Sequence, residues 1–194
     1  MEETTLSLPS VSRMVSVDVL DNTHALARDL ATQQCEHGTL VLAYEQTAAR
    51  GQNGRGWHAG RGGVYFTLLL QPEKEVRVTD GLCRRAAEAA AQALQNLFHV
   101  KAKAKRGGDI QAWDGKNKSW KKIGVARVEV FTSEDQKIWI EVGMDVNVNN
   151  RPETAADTSV KKLLGREIDP EWVLQETLEE FLMRYAQWRL SAED

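Results

Sequence analysis

Arg50 precedes, and Arg55 and Arg61 lie among, six glycines between Gly51 and Gly63 in the stretch "EQTAARGQNGRGWHAGRGGVYF". Glycine lets backbone N–H groups converge on an anion without side-chain interference. Arginine adds planar, permanently charged donors matched to carboxylate or phosphate. The chemistry this combination serves is the holding of an anionic ligand. A surface hairpin whose arginines serve solubility has the same composition, and composition alone does not separate the two. The stretch is not a Walker A sequence, since no Gly-Lys-Ser/Thr follows, and it misses the dinucleotide glycine spacing. Trp57 ends the loop with an aromatic face that can stack on a base or pack in a core. Glycines, arginines and one aromatic describe a flap that closes on a nucleotide and excludes water. With few apolar anchors, residues 49–61 are expected to stay mobile and Trp57 unburied until a ligand arrives.

A second concentration of charge follows. Lys101, Lys103, Lys105, Arg106, Lys116, Lys118, Lys121 and Lys122 fall within 22 residues, against Asp109 and Asp114. Alternation puts Lys101, Lys103 and Lys105 on one strand face. A basic wall of this kind attracts a triphosphate or an acidic carrier domain; a solvated hairpin looks the same.

The elements that must position these residues are readable. "RMVSVDVL" (13–20) and "TLVLAYEQ" (39–46) alternate as strands, with a helix between them capped by Asp21 or Asn22. "VYFTLLLQ" (64–71) is a strand ended by Pro72, and the alanine-rich 79–98 is a helix able to lie close on a sheet. Strands follow at 100–105, on either side of a polar turn at 114–119, and at 137–148. A short helix at 159–165 ends at Gly165, and a last helix starts at Pro170 and runs to about Leu190. Strands and helices mix without strict alternation. The expected class is α+β, a mixed, largely antiparallel sheet with helices on one face. Residues 1–12 read as a tail and 13–194 as one domain.

The chain has 194 residues, 42% hydrophobic and 27% charged, enough for one core and too few for two full domains. Net charge is −3, so no global field favours nucleic acid. Cys35 and Cys83 lack metal spacing and read as buried inert thiols. The polar, acidic "MEETTLSLPS" lacks a signal-peptide pattern, and no apolar run is long enough for a membrane span. The expectation is a cytoplasmic protein with no nucleic-acid and no membrane partner.

Taken in order, the motifs resemble a known family. "EQTAARGQNGRGW" is similar to the biotin protein ligase signature Gln-Thr-x-Gly-Arg-Gly-x-x-Gly-Arg-x-Trp, matching at Gln46, Thr47, Arg50, Gly51, Gly54, Arg55 and Trp57. "LDNTHAL" resembles the Ser-Thr-Asn segment, and "AKRGGDI" stands where the family has Lys-Trp-Pro-Asn-Asp-Ile. "KKIGVARVE" is similar to Lys-Lys-Ile-Gly-Gly-Ile-Leu-Val-Glu, and "VGMDVNVN" to Gly-Ile-Gly-Ile-Asn-Val-Asn. "DTSVKKLLGREID" resembles the Ala-Thr-Ser-Leu stretch. The match spans roughly residues 14 to 190, and only the glycine loop is specific by itself.

The resemblance implies a biotin/lipoate ligase fold, related to class II aminoacyl-tRNA synthetase cores, and two half-reactions. Biotin and ATP, with Mg²⁺, give biotinyl-adenylate and pyrophosphate; a lysine of a biotin carboxyl carrier domain then attacks the anhydride. By resemblance Lys122 is the central catalytic lysine, with Arg50 and Asp109 beside it, Asp109 also being a candidate metal contact. Arg50 and Gly51 hold the biotin carboxylate and then the acyl-phosphate. Asn22, Thr23, His24, Gln46, Gly124 and Asn147 line the biotin pocket. Gln52, Arg55, Trp57 and Lys105 attend the nucleotide. The resemblance admits a homodimer. The family's DNA-binding domain before this core and small β-barrel domain after it are not expected here, and neither is a repressor role.

The chain departs from the signature at four places. His24 replaces asparagine and Asn22 serine, Ala49 replaces glycine, and Gln52 stands where many members have arginine. Arg106-Gly107-Gly108 replaces Trp-Pro-Asn, and two glycines there suggest a floppy turn. A ligand-binding member without turnover, and a lipoate or octanoate ligase or transferase, are the alternatives.

Overall fold

The computed structural model describes residues 11–50, 56–72 and 81–191. Strand β1 (Arg13–Leu20) leads into helix α1 (Thr23–Thr32), where the Asn22 side chain accepts from the Ala25 N–H (2.9 Å). Strands β2 (Thr39–Gln46) and β3 (Val64–Leu70) flank the glycine loop. Helix α2 (Leu82–Phe98) begins after Gly81, whose φ of 78° makes the entry turn; the expected start at 79 lies outside the described residues. Strand β4 (Ala102–Ala104) is shorter than the 100–105 expected. Strands β5 (Asp109–Asp114), β6 (Ser119–Thr132) and β7 (Ile138–Val146) follow, then helices α3 (Val160–Leu164) and α4 (Pro170–Ser191).

The seven strands form one sheet in the order β1-β2-β3-β7-β6-β5-β4. Only β1 and β2 pair in parallel, with α1 as their crossover; every other pair is antiparallel. The mixed, largely antiparallel sheet is therefore as expected.

Alternation along the central strands divides the sheet into two faces. Val64, Phe66, Leu68 and Leu70 of β3 and Ile140, Val142, Met144 and Val146 of β7 face the main core. Onto that face pack α2, with Ala86, Ala87, Ala90 and Leu94 buried, and α4, with Leu174, Leu178, Phe181, Tyr185 and Trp188. Fully burying one such large apolar side chain is worth about 1.5–3 kcal/mol, so this face holds most of the stability. The long helices share one face as expected. The exception is α1, which lies on the other, with Ala27 and Ala31 against Val41, Leu69 and Trp139. The two thiols are in no disulfide and are half-buried rather than fully buried; burial raises the pKa of both.

The turn between β4 and β5 is not loose. Lys105 N–H donates to the Asp109 carbonyl (2.7 Å) and Gly108 N–H to the Lys105 carbonyl (3.2 Å). Gly107 and Gly108 have φ of 86° and 85°, and a Cβ at Gly108 would collide with the Ala126 carbonyl oxygen. The glycines are what this close turn requires. No helix among the described residues is long and apolar enough to cross a membrane.

Candidate active site

The face that carries α1 holds the polar groups. Thr23, in the first turn of α1, is buried; its N–H donates to Gln46 Oε1 (2.8 Å) and its hydroxyl accepts from Thr67 Oγ1 (2.8 Å). Gln46, at the end of β2, donates from Nε2 to Asp145 Oδ1 (3.2 Å). Both ends of the Gln46 amide are thus engaged, which fixes its orientation.

His24 reaches across to β7. Its Nδ1 meets Glu141 Oε1, and Arg28 Nε donates to the other carboxylate oxygen (2.8 Å). Arg28 also pairs with Glu129, which accepts from Arg127 Nε (2.8 Å). Glu141 is fully buried, and an ion that deep needs partners of this kind. A Cβ at Gly143 would collide with His24 Nε2, so only glycine lets the imidazole lie against the strand. Two residues on, Asp145 is 8% exposed. Burial pushes its carboxyl up to about 7, opposed by the His24 charge, the Gln46 hydrogen bond and Lys122. Its cross-strand neighbour Tyr65 donates to the Gly60 carbonyl (2.6 Å), and burial raises that phenol's pKa.

Lys122 stands at the edge of this cluster. The β5–β6 register pairs Gln111 with Lys122 and Ile110 with Gly124, leaving Ile123 as an extra residue. Such a bulge re-aims the residue beside it. The segment around Asp157 holds Lys122 from the other side: Lys122 N–H donates to the Ala156 carbonyl (3.0 Å), and Thr158 N–H donates back (2.8 Å). The Lys122 ammonium lies 2.7 Å from Asp109 Oδ1 and 4.9 Å from the centre of the Trp57 ring. A lysine fixed between a carboxylate and an aromatic face is not the freely solvated turn residue its neighbours suggest.

The arms of the glycine loop are closed. Arg50 bridges to Gly56, and Trp57 N–H donates to the Ala49 carbonyl (2.9 Å). Trp57 is half-buried beside Ala49, Ala59 and Tyr65. Its Nε1 finds no partner among the described residues. Gln46 N–H donates to the Ala59 carbonyl (2.9 Å), and Arg61 forks onto Asp18 (2.8 and 2.7 Å). The expectation of mobility across 49–61 is therefore corrected at Ala49, Arg50 and residues 56–61, which are tied by their own contacts. Gly51, Gln52 and Arg55 lie outside the described residues.

Other candidate residues have different surroundings. Asn22 caps α1. Asn147 is buried, donates to the Thr158 carbonyl (3.1 Å) and accepts from Asn150 (2.7 Å); these bonds belong to the end of β7. A Cβ at Gly124 would face the Asp145 carbonyl (2.6 Å) and Ile110 (3.1 Å), so it is a close strand contact. Lys105 is exposed in the β4–β5 turn. Among the described residues no three His, Cys, Asp or Glu side chains gather to hold a metal ion, and Asp109 is paired with Lys122. These residues do not fit a protein-held magnesium.

Sequence reasoning missed Glu141, Arg28 and Asp145. The signal was available for the two carboxylates: in "IWIEVGMDV" a period of two puts Glu141, Gly143 and Asp145 on one face of an otherwise apolar strand. Against Gly-Ile-Gly-Ile-Asn-Val-Asn, Asp145 stands opposite the second glycine.

Residues 16–147 match the Biotin/lipoate A/B protein ligase family. The chain is 34% identical over 175 residues to the Bifunctional ligase/repressor BirA of Bacillus subtilis, covering 87% of this chain and 52% of that protein. It thus spans about half the length of the curated relatives it matches. The biotin protein ligase of Aquifex aeolicus, solved with biotin and ATP, superposes with a TM-score of 0.74 at 23% identity, over 91% of this chain and 71% of that one. The Leishmania major biotin protein ligase with biotinyl-5-AMP gives 0.67 at 20% identity, over 90% and 74%. At these identities the superpositions establish the fold. The chain belongs to the biotin/lipoate A/B protein ligase family.

Proposed function

We propose that this chain is a biotin–protein ligase: it joins biotin and ATP into biotinyl-adenylate, releases pyrophosphate, and passes the biotinyl group to a carrier lysine in the cytoplasm. The observation that carries the reading is Lys122, beside the bulge at Ile123 in β6 and held between Asp109 (2.7 Å) and the Trp57 ring (4.9 Å). Carboxylate and α-phosphate are both anionic, and charge grows as they join. A fixed ammonium between them offsets that repulsion without reorganising. Asp109 aims the lysine. Arg50 and Gly51 take the acid's carboxylate and then the acyl-phosphate. Arg55 meets the leaving pyrophosphate and Trp57 flanks the adenine, with Gln52 and Lys105 at the nucleotide's edge. Thr23, His24 and Gln46 line the acyl pocket. Any Mg²⁺ would be carried by the triphosphate rather than held by these side chains.

The family relationship to BirA of Bacillus subtilis and the fold shared with biotin-bound ligases support this reading. The test is pyrophosphate release from ATP with biotin, lipoate or octanoate, followed by transfer to an isolated carrier domain. Release with biotin and labelling of the carrier are expected. Binding of biotin with no pyrophosphate would leave a binding member of the fold, and release with lipoate or octanoate alone would move the assignment to those acids.

A further inference from the structure

We propose that Asp145 is the residue that selects the acyl substrate: beside Gln46 and Thr23 its carboxyl presents a hydrogen-bond acceptor to the pocket, and so admits a head group bearing an N–H donor, as a cyclic urea does, over a dithiolane or a plain alkyl chain. The proposal rests on the ligase reading above for the location of the pocket.

The donor and acceptor count carries the argument. Glu141 is buried, accepts from Arg28 Nε (2.8 Å) and meets His24 Nδ1, so its carboxylate is occupied. Gln46 Oε1 is taken by the Thr23 N–H, and Gln46 Nε2 fixes one oxygen of Asp145. The Tyr65 hydroxyl is spent on the Gly60 carbonyl. What remains among the described residues is the second oxygen of the Asp145 carboxyl. A ligand without N–H groups would desolvate it and leave it unpaired, which costs roughly tenfold or more in affinity. Charged or titratable groups facing Asp145 are His24 from α1, Tyr65 from β3 and Lys122 from β6, with Glu141 on its own strand behind His24. With the carboxyl at about 7, roughly a tenth is ionised at pH 6 and nine-tenths at pH 8, so affinity for an N–H donor rises up to about tenfold between them.

The test is calorimetric titration of the wild-type chain, Asp145→Asn and Asp145→Leu with biotin, desthiobiotin, lipoate and octanoate at pH 6 and pH 8. Wild type is expected to bind biotin and desthiobiotin at least tenfold more tightly than the other two acids, and more tightly at pH 8. Asp145→Asn should flatten the pH profile, and Asp145→Leu should shift preference towards octanoate. Lipoate or octanoate binding wild type as tightly as desthiobiotin, or an Asp145→Asn profile equal to wild type, would overturn the proposal. Pyrophosphate release separates it from the ligase reading. Urea-selective binding without release upholds the pocket and removes the ligase; release fastest from octanoate removes the selector and leaves an acyl ligase.

Discussion

Replacing Asp145 with asparagine should stabilise the ligand-free chain, and by an amount that depends on pH. The carboxyl ionises at 3.8 in an unfolded chain and at about 7 in the folded one, mainly because burial removes it from water. Between those values the folded chain keeps a proton that the unfolded chain releases, so stability falls as pH rises through the window. Below 3.8 both forms are protonated and the penalty vanishes; above about 7 it is complete. A gap of about 3 pH units corresponds to about 4 kcal/mol, a large part of the roughly 5–15 kcal/mol that holds a typical domain together. Asparagine keeps the shape and can still accept from Gln46, but carries no charge. Urea unfolding of both proteins at pH 4, 5, 6, 7 and 8 gives the comparison. Asp145→Asn should gain up to about 4 kcal/mol on wild type at pH 8 and approach wild type at pH 4. A difference between the two proteins that stays constant from pH 4 to pH 8 would refute the reasoning.

Two further substitutions separate catalysis from stability. Lys122→Ala should cost about 2–4 kcal/mol of transition-state stabilisation, read as slower pyrophosphate release. Its urea midpoint should barely move, because a partly exposed Lys122–Asp109 pair is worth about 0–1 kcal/mol. Gly108→Ala should do the reverse. A Cβ at φ 85° against the Ala126 carbonyl should cost at least about 1–3 kcal/mol, seen as a lower melting temperature.

Much of the fold is legible in the chain because its signals are local. Asn22 caps α1, Gly165 closes α3 with φ 73°, and alternating apolar residues mark the strands. The run of alanines at 86–93 announces a helix laid close on a sheet. The side taken by α1 is not legible, because Ala27 and Ala31 suit either face and only the crossover between β1 and β2 decides it. The same division holds for the site. Gln46, Thr23 and Lys122 stand out through the motif order. The bulge beside Lys122 depends on Ile123 finding the core, a long-range event. Glu141 and Arg28 are 113 residues apart, and no pattern in either segment announces the other. The turn at Gly107-Gly108 looks loose by composition, yet it is tight because Ala126 leaves no room for a side chain.

Strand β7 gives alternate residues separate tasks. Ile140, Val142, Met144 and Val146 belong to the core, while Glu141, Gly143 and Asp145 lie on the opposite face, against His24 and Gln46. Glu141, Gly143 and Asp145 are outside the main core cluster, so a change at one of them removes no side chain from it. The strand therefore behaves as two interleaved texts, one nearly closed to revision and one that can be rewritten letter by letter. Asp145, a carboxylate where the family signature has glycine, is what such a rewriting looks like: one face of the strand changes while the scaffold on the other stays the same.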